Sequence, residues 1–217
     1  MLPFFTDLVT RTDEARRAFE TSPVIVAAVA DGLSVERYRA MLLELYHVVW
    51  HFNPICAAAA SRLDDAHRPV RYHLYAHMHE ESGHEQWVLE DLKAIGVDAD
   101  RTRSHAPSLC TLALIGYNYW AADRRHPCSV LGMVYALEVI ASVYGGVFSC
   151  AVRESLLLEG ERGTSFLSSH ATLDTDHMAR LRVVLNTLED GDDAARDAVV
   201  ESACVNFHHL VRLLEAV

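Results

Sequence analysis

Between Arg125 and Arg153 the chain carries one charged side chain, Glu138, in an otherwise apolar run. Leu131 to Val152 is long enough to span a bilayer. It holds Glu138 and the pair Gly145-Gly146, however, and every other helical stretch is amphipathic, so it reads as the central buried helix of a globular bundle. An isolated carboxylate in such a helix costs several kcal/mol unless it is paired, protonated or bound to a metal. Glu138 is therefore expected to be protonated, paired with an arginine, or bound to a metal ion, and a metal ligand explains both its solitude and its place on a core helix.

The rest of the sequence agrees with an all-α chain. No stretch reads as a strand, and 3.6-residue periodicity dominates. Helices are expected over 4–20, 23–30, 34–63, 68–96, 108–124, 127–158, 163–189 and 192–216, with a polar loop at 97–106. Pro54 should kink or divide the third of them. That makes seven or eight helices without repeats, expected to form a single domain over all 217 residues. The formal charge is −11, Lys93 is the single lysine, and nothing resembles a basic stripe. The expected partner is a small molecule, with no nucleic acid and no membrane; a homodimer is left open. Five scattered cysteines without a C-x-x-C pattern suit reduced thiols in the cytoplasm.

Thirteen histidines are the unusual count. On a helix, positions i, i+4 and i+7 fall within about 60° of one another, so His170, Asp174 and His177 share a face. Two imidazoles and a carboxylate suit iron, manganese or zinc; the competing reading is a solvated polar face. His77 and His84 are likewise seven apart, with Glu81 one turn before His84. Their competing reading is the same, with His79 and Glu85 expected to face solvent.

The combined spacing is His77-x6-His84, then Glu138, then His170-x3-Asp174-x2-His177. It resembles the heme-oxygenase-like diiron oxidases and oxygenases, in helix order and over nearly the whole chain. The resemblance implies a heme-oxygenase-like helical bundle holding two Fe(II) ions, with O2 as co-substrate. The metal ligands would be His77, His84, Glu138, His170, Asp174 and His177. The family usually has a glutamate where this sequence has His77. Either His77 replaces that carboxylate or Glu81 turns in as an additional, bridging ligand.

By the same resemblance the substrate is a small amino-acid- or fatty-acid-like molecule, oxidised, N-oxygenated (as in nitrile formation) or cleaved at a C–C bond. A pocket from Tyr46, His47, Trp50, His51, Tyr144 and Phe148 would be polar and aromatic, which favours an amino-acid-like substrate. An aromatic stripe at helical spacing is also what plain core looks like. A ferritin-like arrangement would instead use Glu44, Glu81-x-x-His84, Glu138 and Asp174-x-x-His177; it is distinguished by whether Glu44 or His170 joins the others. Further rivals are a thiaminase-type hydrolase with Cys128 or Cys150 as nucleophile, a cofactorless oxidase, a haem-degrading enzyme using His47, and a bundle that stores metal or binds ligand without catalysis.

Overall fold

The computed structural model describes residues 3–188 and 191–217, and all their side chains except those of 171–175. Among the described residues there are eleven α-helices and no strand. In chain order they are α1 (Phe4–Arg11), α2 (Asp13–Glu20), α3 (Pro23–Asp31), α4 (Val35–Ala60), α5 (Arg68–Glu80), α6 (His84–Ala94), α7 (Ala99–Ser104), α8 (Leu109–Trp120), α9 (Val130–Leu156), α10 (Ser165–Leu185) and α11 (Asp193–Glu215). A π-helical turn, Ala121–Arg125, and a 3-10 turn, Pro127–Ser129, connect α8 to α9.

Three differences from the sequence expectation have local causes. The first helix is broken at buried Thr12, whose hydroxyl donates to the Leu8 carbonyl (2.8 Å) and competes with helix continuation. Pro54 does not divide α4, which runs on to Ala60. The expected helix over 68–96 is two helices, separated at Glu81–Gly83, where Gly83 takes φ 94°. A Cβ at Gly83 would meet nothing within 4 Å, so the backbone conformation, not space, requires glycine there. That break matters most for function, because it leaves Glu81 as the cap that ends α5, with His84 opening α6 three residues later.

α9 is the axis of the bundle and packs against α10, α11 and α3. Val130 through Ala136 are all buried. At Gly132 an added Cβ would lie 2.1 Å from the Val199 carbonyl oxygen, so α9 and α11 cross backbone to backbone. The segment Pro127–Leu156 is long and apolar enough to cross a membrane by length and composition. In the fold its first turns are core, among Phe4, Leu8, Leu181, Val199 and Phe207.

The loops at the foot of the bundle are tied together by His67. Its Nδ1 lies 2.8 Å from Asp64 Oδ1 and its Nε2 2.7 Å from Asp192 Oδ2; Asp192 also caps α11 through the Ala195 N–H. Burial works against a charge on His67, but its hydrogen bonds to Asp192 and Asp64 outweigh it and raise its pKa. The pKa values of both aspartates are lowered. A raised histidine stabilises the fold fully below its unfolded value and ceases to do so as pH rises through its folded value; the lowered carboxylates lose theirs toward acid. The melting-point difference between wild type and His67→Ala is therefore expected to peak between about pH 4 and 6.5 and to shrink above neutrality. A difference that grows above pH 7 would contradict the charged clasp.

Candidate metal centre

α10 carries two of the histidines, and its position is set from a distance. Asp91 on α6, 1% exposed, accepts from the Ser165 N–H (2.9 Å), the Ser165 hydroxyl (2.8 Å) and the Phe166 N–H (2.8 Å). Three of the groups a helix start leaves unpaired or exposed are thereby satisfied by one carboxylate. Buried Tyr38 adds a bond to the Gly163 carbonyl (2.7 Å). α10 is thus docked on α6, and one turn later His170 meets His84 edge to face at 4.9 Å. Sequence reasoning missed Asp91; in the amphipathic pattern of α6 it is one acidic residue among several.

Glu81 lies between two groups of ligands. Its Oε1 is 3.6 Å from His177 Nδ1, and that nitrogen is 3.1 Å from Glu138 Oε1. His77 Nε2 is 3.5 Å from the same Glu138 oxygen. The other Glu81 oxygen, Oε2, is 2.7 Å from His84 Nδ1 and 3.7 Å from His170 Nε2. His77, Glu81, Glu138 and His177 each offer a donor atom within 4.8 Å of the others, and so do Glu81, His84 and His170. Metal–ligand bonds of about 2.0–2.2 Å fit donors at such separations. Glu81 belongs to both groups, one oxygen toward each.

The surrounding contacts orient these rings as ligands. His170 Nδ1 donates to the Phe166 carbonyl (2.9 Å), which turns Nε2 toward Glu81. His177 presents Nδ1 to the carboxylates, while its Nε2 faces Glu80 Oε2 at 3.4 Å; Glu80 is in turn bonded by Arg180. His84 stacks on Trp87 with ring centroids 4.0 Å apart. Burial pushes the pKa of His77 down to about 4, so at neutral pH it is the neutral, electron-donating form. Burial would raise Glu81, but the imidazoles of His170 and His84 hold it well below the ordinary carboxylate range.

Two buried polar atoms in this cluster, His77 Nε2 and Glu138 Oε2, have no hydrogen-bond partner among the described residues. Orphaned polar atoms on one lone carboxylate and one neutral imidazole in the same cluster are what a cation would satisfy. The donor set therefore fits iron: nitrogen and oxygen only, with a carboxylate placed to be shared.

Of the residues expected from sequence, His77, His84, Glu138, His170, His177 and Glu81 are brought together. The side chain of Asp174 lies outside the described residues. His77 and His84 do not share a helical face; they converge because the chain breaks between them, and Glu81 sits in the break. Glu44 stands elsewhere: it accepts from the Ser108 N–H (3.0 Å) and lies 3.2 Å from His105 Nε2, at the start of α8. That removes the basis of the ferritin-like arrangement. His79 is exposed as expected, whereas Glu85 is half-buried.

A cavity of about 200 Å³ opens onto the cluster, with Glu81, Glu138 and His170 in its wall. Tyr144 and Phe148 line it, but Tyr46, His47, Trp50 and His51 do not. These four lie on other faces of α4. Tyr46 is core, Trp50 is 51% exposed, His51 bonds the Tyr119 hydroxyl (3.0 Å), and His47 packs near His105. The cavity is instead bounded by the aliphatic stripe of α4, including Met41, Leu45 and Val48. No cysteine is among its described lining residues; Cys128 is buried, with its thiol pKa raised by desolvation, and Cys150 is exposed. A second group, His67, His126 and Asp192, also lies within 4.8 Å. Both His67 nitrogens there face carboxylates and His126 Nδ1 accepts the Cys128 N–H, so it serves as the clasp described above.

The fold is shared with solved structures. A domain of unknown function with a heme oxygenase-like fold, from Shewanella denitrificans, superposes with a TM-score of 0.84 at 24% identity, covering 98% of this chain and 90% of that one. Heme oxygenase from Leptospira interrogans gives 0.80 at 16% identity, with both chains covered completely. A TenA homolog from Pseudomonas syringae gives 0.78 at 15% identity, covering 98% and 91%. No functionally curated protein matches the sequence. Residues 39–207, which hold the whole ligand cluster, match the family described as iron-containing redox enzymes, and the chain belongs to that family.

Proposed function

We propose that the chain is a non-haem diiron oxidase or oxygenase that acts on a molecule with an unbranched apolar chain. The observation that carries this reading is Glu81, a half-buried carboxylate with one oxygen directed to each of two imidazole-bearing groups. His77, Glu138 and His177 would hold one iron, His84 and His170 the other, and Glu81 would bridge. Iron bound there would supply the activation of O2 beside the substrate.

The chain's own residues do the rest. Glu80, anchored by Arg180, fixes the His177 ring so that Nδ1 stays on the cluster. Phe52 packs on His77 with ring centroids 5.5 Å apart and shields it from water. The cavity walls are mainly aliphatic, with Glu81, Glu138 and His170 in the wall beside the cluster. The same walls argue against the amino-acid-like substrate drawn from Tyr46, His47, Trp50 and His51, because none of those four side chains lines the cavity and its wall is mostly aliphatic.

The test is anaerobic Fe(II) loading followed by O2 consumption with a panel of straight-chain acids, alcohols and amino acids. Two irons per chain and O2 uptake stimulated by the aliphatic compounds are expected. Iron-independent turnover, or stimulation by amino acids alone, would overturn the reading.

A further inference from the structure

Six of the eleven large hydrophobic side chains that stand exposed among the described residues lie on three neighbouring helices. They are Trp50 of α4, Tyr72 and Tyr75 of α5, and Leu109, Leu112 and Trp120 of α8, between 49% and 84% exposed. All four exposed Trp and Tyr side chains of the described residues are among them. α4 runs between the other two helices. His51 meets the Tyr119 hydroxyl of α8 at 3.0 Å, and the Asn53 amide donates to the Met78 carbonyl of α5 at 3.1 Å. Trp50, Pro54 and Ala57 are exposed between those contacts, within about 60° of one another on the helix. None of the six large side chains lines the cavity.

The same three stretches are empty of charge. No Asp, Glu, Lys or Arg occurs over 45–61, 72–79 or 104–122, in a chain that holds 30 acidic and 19 basic residues. A face rich in Trp and Tyr and without charge has the composition of the core of a protein–protein interface. The six side chains together expose on the order of 700 Å², against about 800 Å² per partner in a standard interface and about 300–600 Å² for the largest apolar patch of a typical monomer.

Gly116 gives this face a point of close approach. It stands exposed in the interior of α8, on the stripe that also presents Leu112, Ala113 and Trp120. A Cβ at Gly116 would meet nothing within 4 Å, and its φ is not positive. Neither crowding inside the chain nor backbone conformation calls for glycine there, although glycine weakens a helix interior. At Gly132 the same lack of a side chain lets α9 and α11 cross backbone to backbone.

We propose that this face binds a second copy of the chain about a twofold axis, with the two α8 helices crossing at Gly116. A twofold pairing sets the patch against itself, so Leu112 and Trp120 of each copy meet the hollow at Ala113 and Gly116 of the other. Charge selects the same occupant. With a formal charge of −11, two copies repel wherever acidic faces meet, and the uncharged face is where they approach at least cost. A membrane is the poorer match. Its anionic surface repels the chain, and the three stretches hold no lysine or arginine to meet headgroups. The proposal stands apart from the diiron reading.

Sedimentation velocity of the full chain over a dilution series tests it. Wild type is expected at twice the 24.2 kDa mass of the chain. Leu112→Glu sets like charges near the axis and is expected to weaken the dimer on the order of thirtyfold or more, as for a central interface residue. Gly116→Leu is the sharper variant. It fills open space on a helix, so it should keep or raise the melting temperature of the dilute monomer while weakening the dimer comparably by blocking the crossing. Val147→Glu, at an exposed apolar position of α9 outside this face, should leave the dimer unchanged. Circular dichroism checks that each variant keeps its helix content. A wild-type monomer at every concentration would overturn the proposal. So would a dimer indifferent to both Leu112→Glu and Gly116→Leu, or one broken by Val147→Glu. A monomer that cosediments with phosphatidylcholine vesicles would give the face to a membrane and overturn it too. None of these readouts uses iron, so a failure of iron binding would sink the diiron reading without touching this one.

Discussion

On the diiron reading, replacing Glu81 with alanine is expected to abolish tight iron binding at both proposed positions, leaving fewer than one Fe(II) per chain. An ordinary terminal ligand would not do this. His84→Ala removes a donor from one group only and is expected to leave one tight iron. Glu81 faces His177 through one oxygen and His84 and His170 through the other. Its loss therefore takes a negative charge from both positions at once, in a buried setting where charge is poorly screened. Outer-shell partners of metal ligands are worth about 10- to 100-fold in affinity, and a shared ligand should exceed that range. Glu81→Gln is the sharper variant, because it keeps a hydrogen-bond acceptor for His84 and removes only the charge. Equilibrium dialysis against Fe(II), with helix content checked by circular dichroism, reads the result. Retention of one tight iron in Glu81→Gln would show that the carboxylate serves a single position.

Asp91→Ala is expected to destabilise the fold by about 2–4 kcal/mol. The figure combines loss of a helix cap with burial of the unpaired Ser165 and Phe166 N–H groups. The effect should not stop at stability. His170 sits one turn past those two residues and is oriented by the Phe166 carbonyl. Loosening the start of α10 should therefore weaken the position formed with His84 while sparing His77, Glu138 and the remainder of the other group. Chemical denaturation gives the first number, and Fe(II) titration gives the second. A variant that loses stability but binds both irons with wild-type affinity would show that α10 is positioned by its packing on α9 alone.

How much of this could be read in the sequence follows from what each residue had to signal. Glu138 announces itself because nothing else between Arg125 and Arg153 is charged. His170 and His177 are legible because they ride on one uninterrupted helix, where spacing translates directly into a shared face. His77 and His84 have the same spacing, but that argument does not apply to them. Ser82-Gly83 interrupts the helix, and a break costs little when glycine supplies the positive φ. The consequence, a glutamate free to face two ways, is a property of the turn and leaves no periodic trace.

Of the expected pocket, Tyr144 and Phe148 line the cavity and the four α4 residues do not, for a related reason. α4 is apolar on more than one face, so periodicity identifies several stripes without saying which one borders empty space. The aromatic residues Tyr46 and Trp50 drew attention, yet the aliphatic stripe ending at Arg37 lines the cavity. Large rings more readily fill space or sit at a surface, as Tyr46 and Trp50 do. Asp91 and Glu44 show the limit from the other side. Both are buried carboxylates satisfied by the N–H groups that open a helix, and sequence alone does not separate such a cap from a ligand.

The most direct test of the central claim is anomalous diffraction at the iron edge from crystals loaded anaerobically with Fe(II). Two peaks about 3.5–4 Å apart are predicted, one against His77, Glu138 and His177, the other against His84 and His170, with one Glu81 oxygen on each. A single peak, or two peaks with Glu81 coordinating only one of them, would contradict the account.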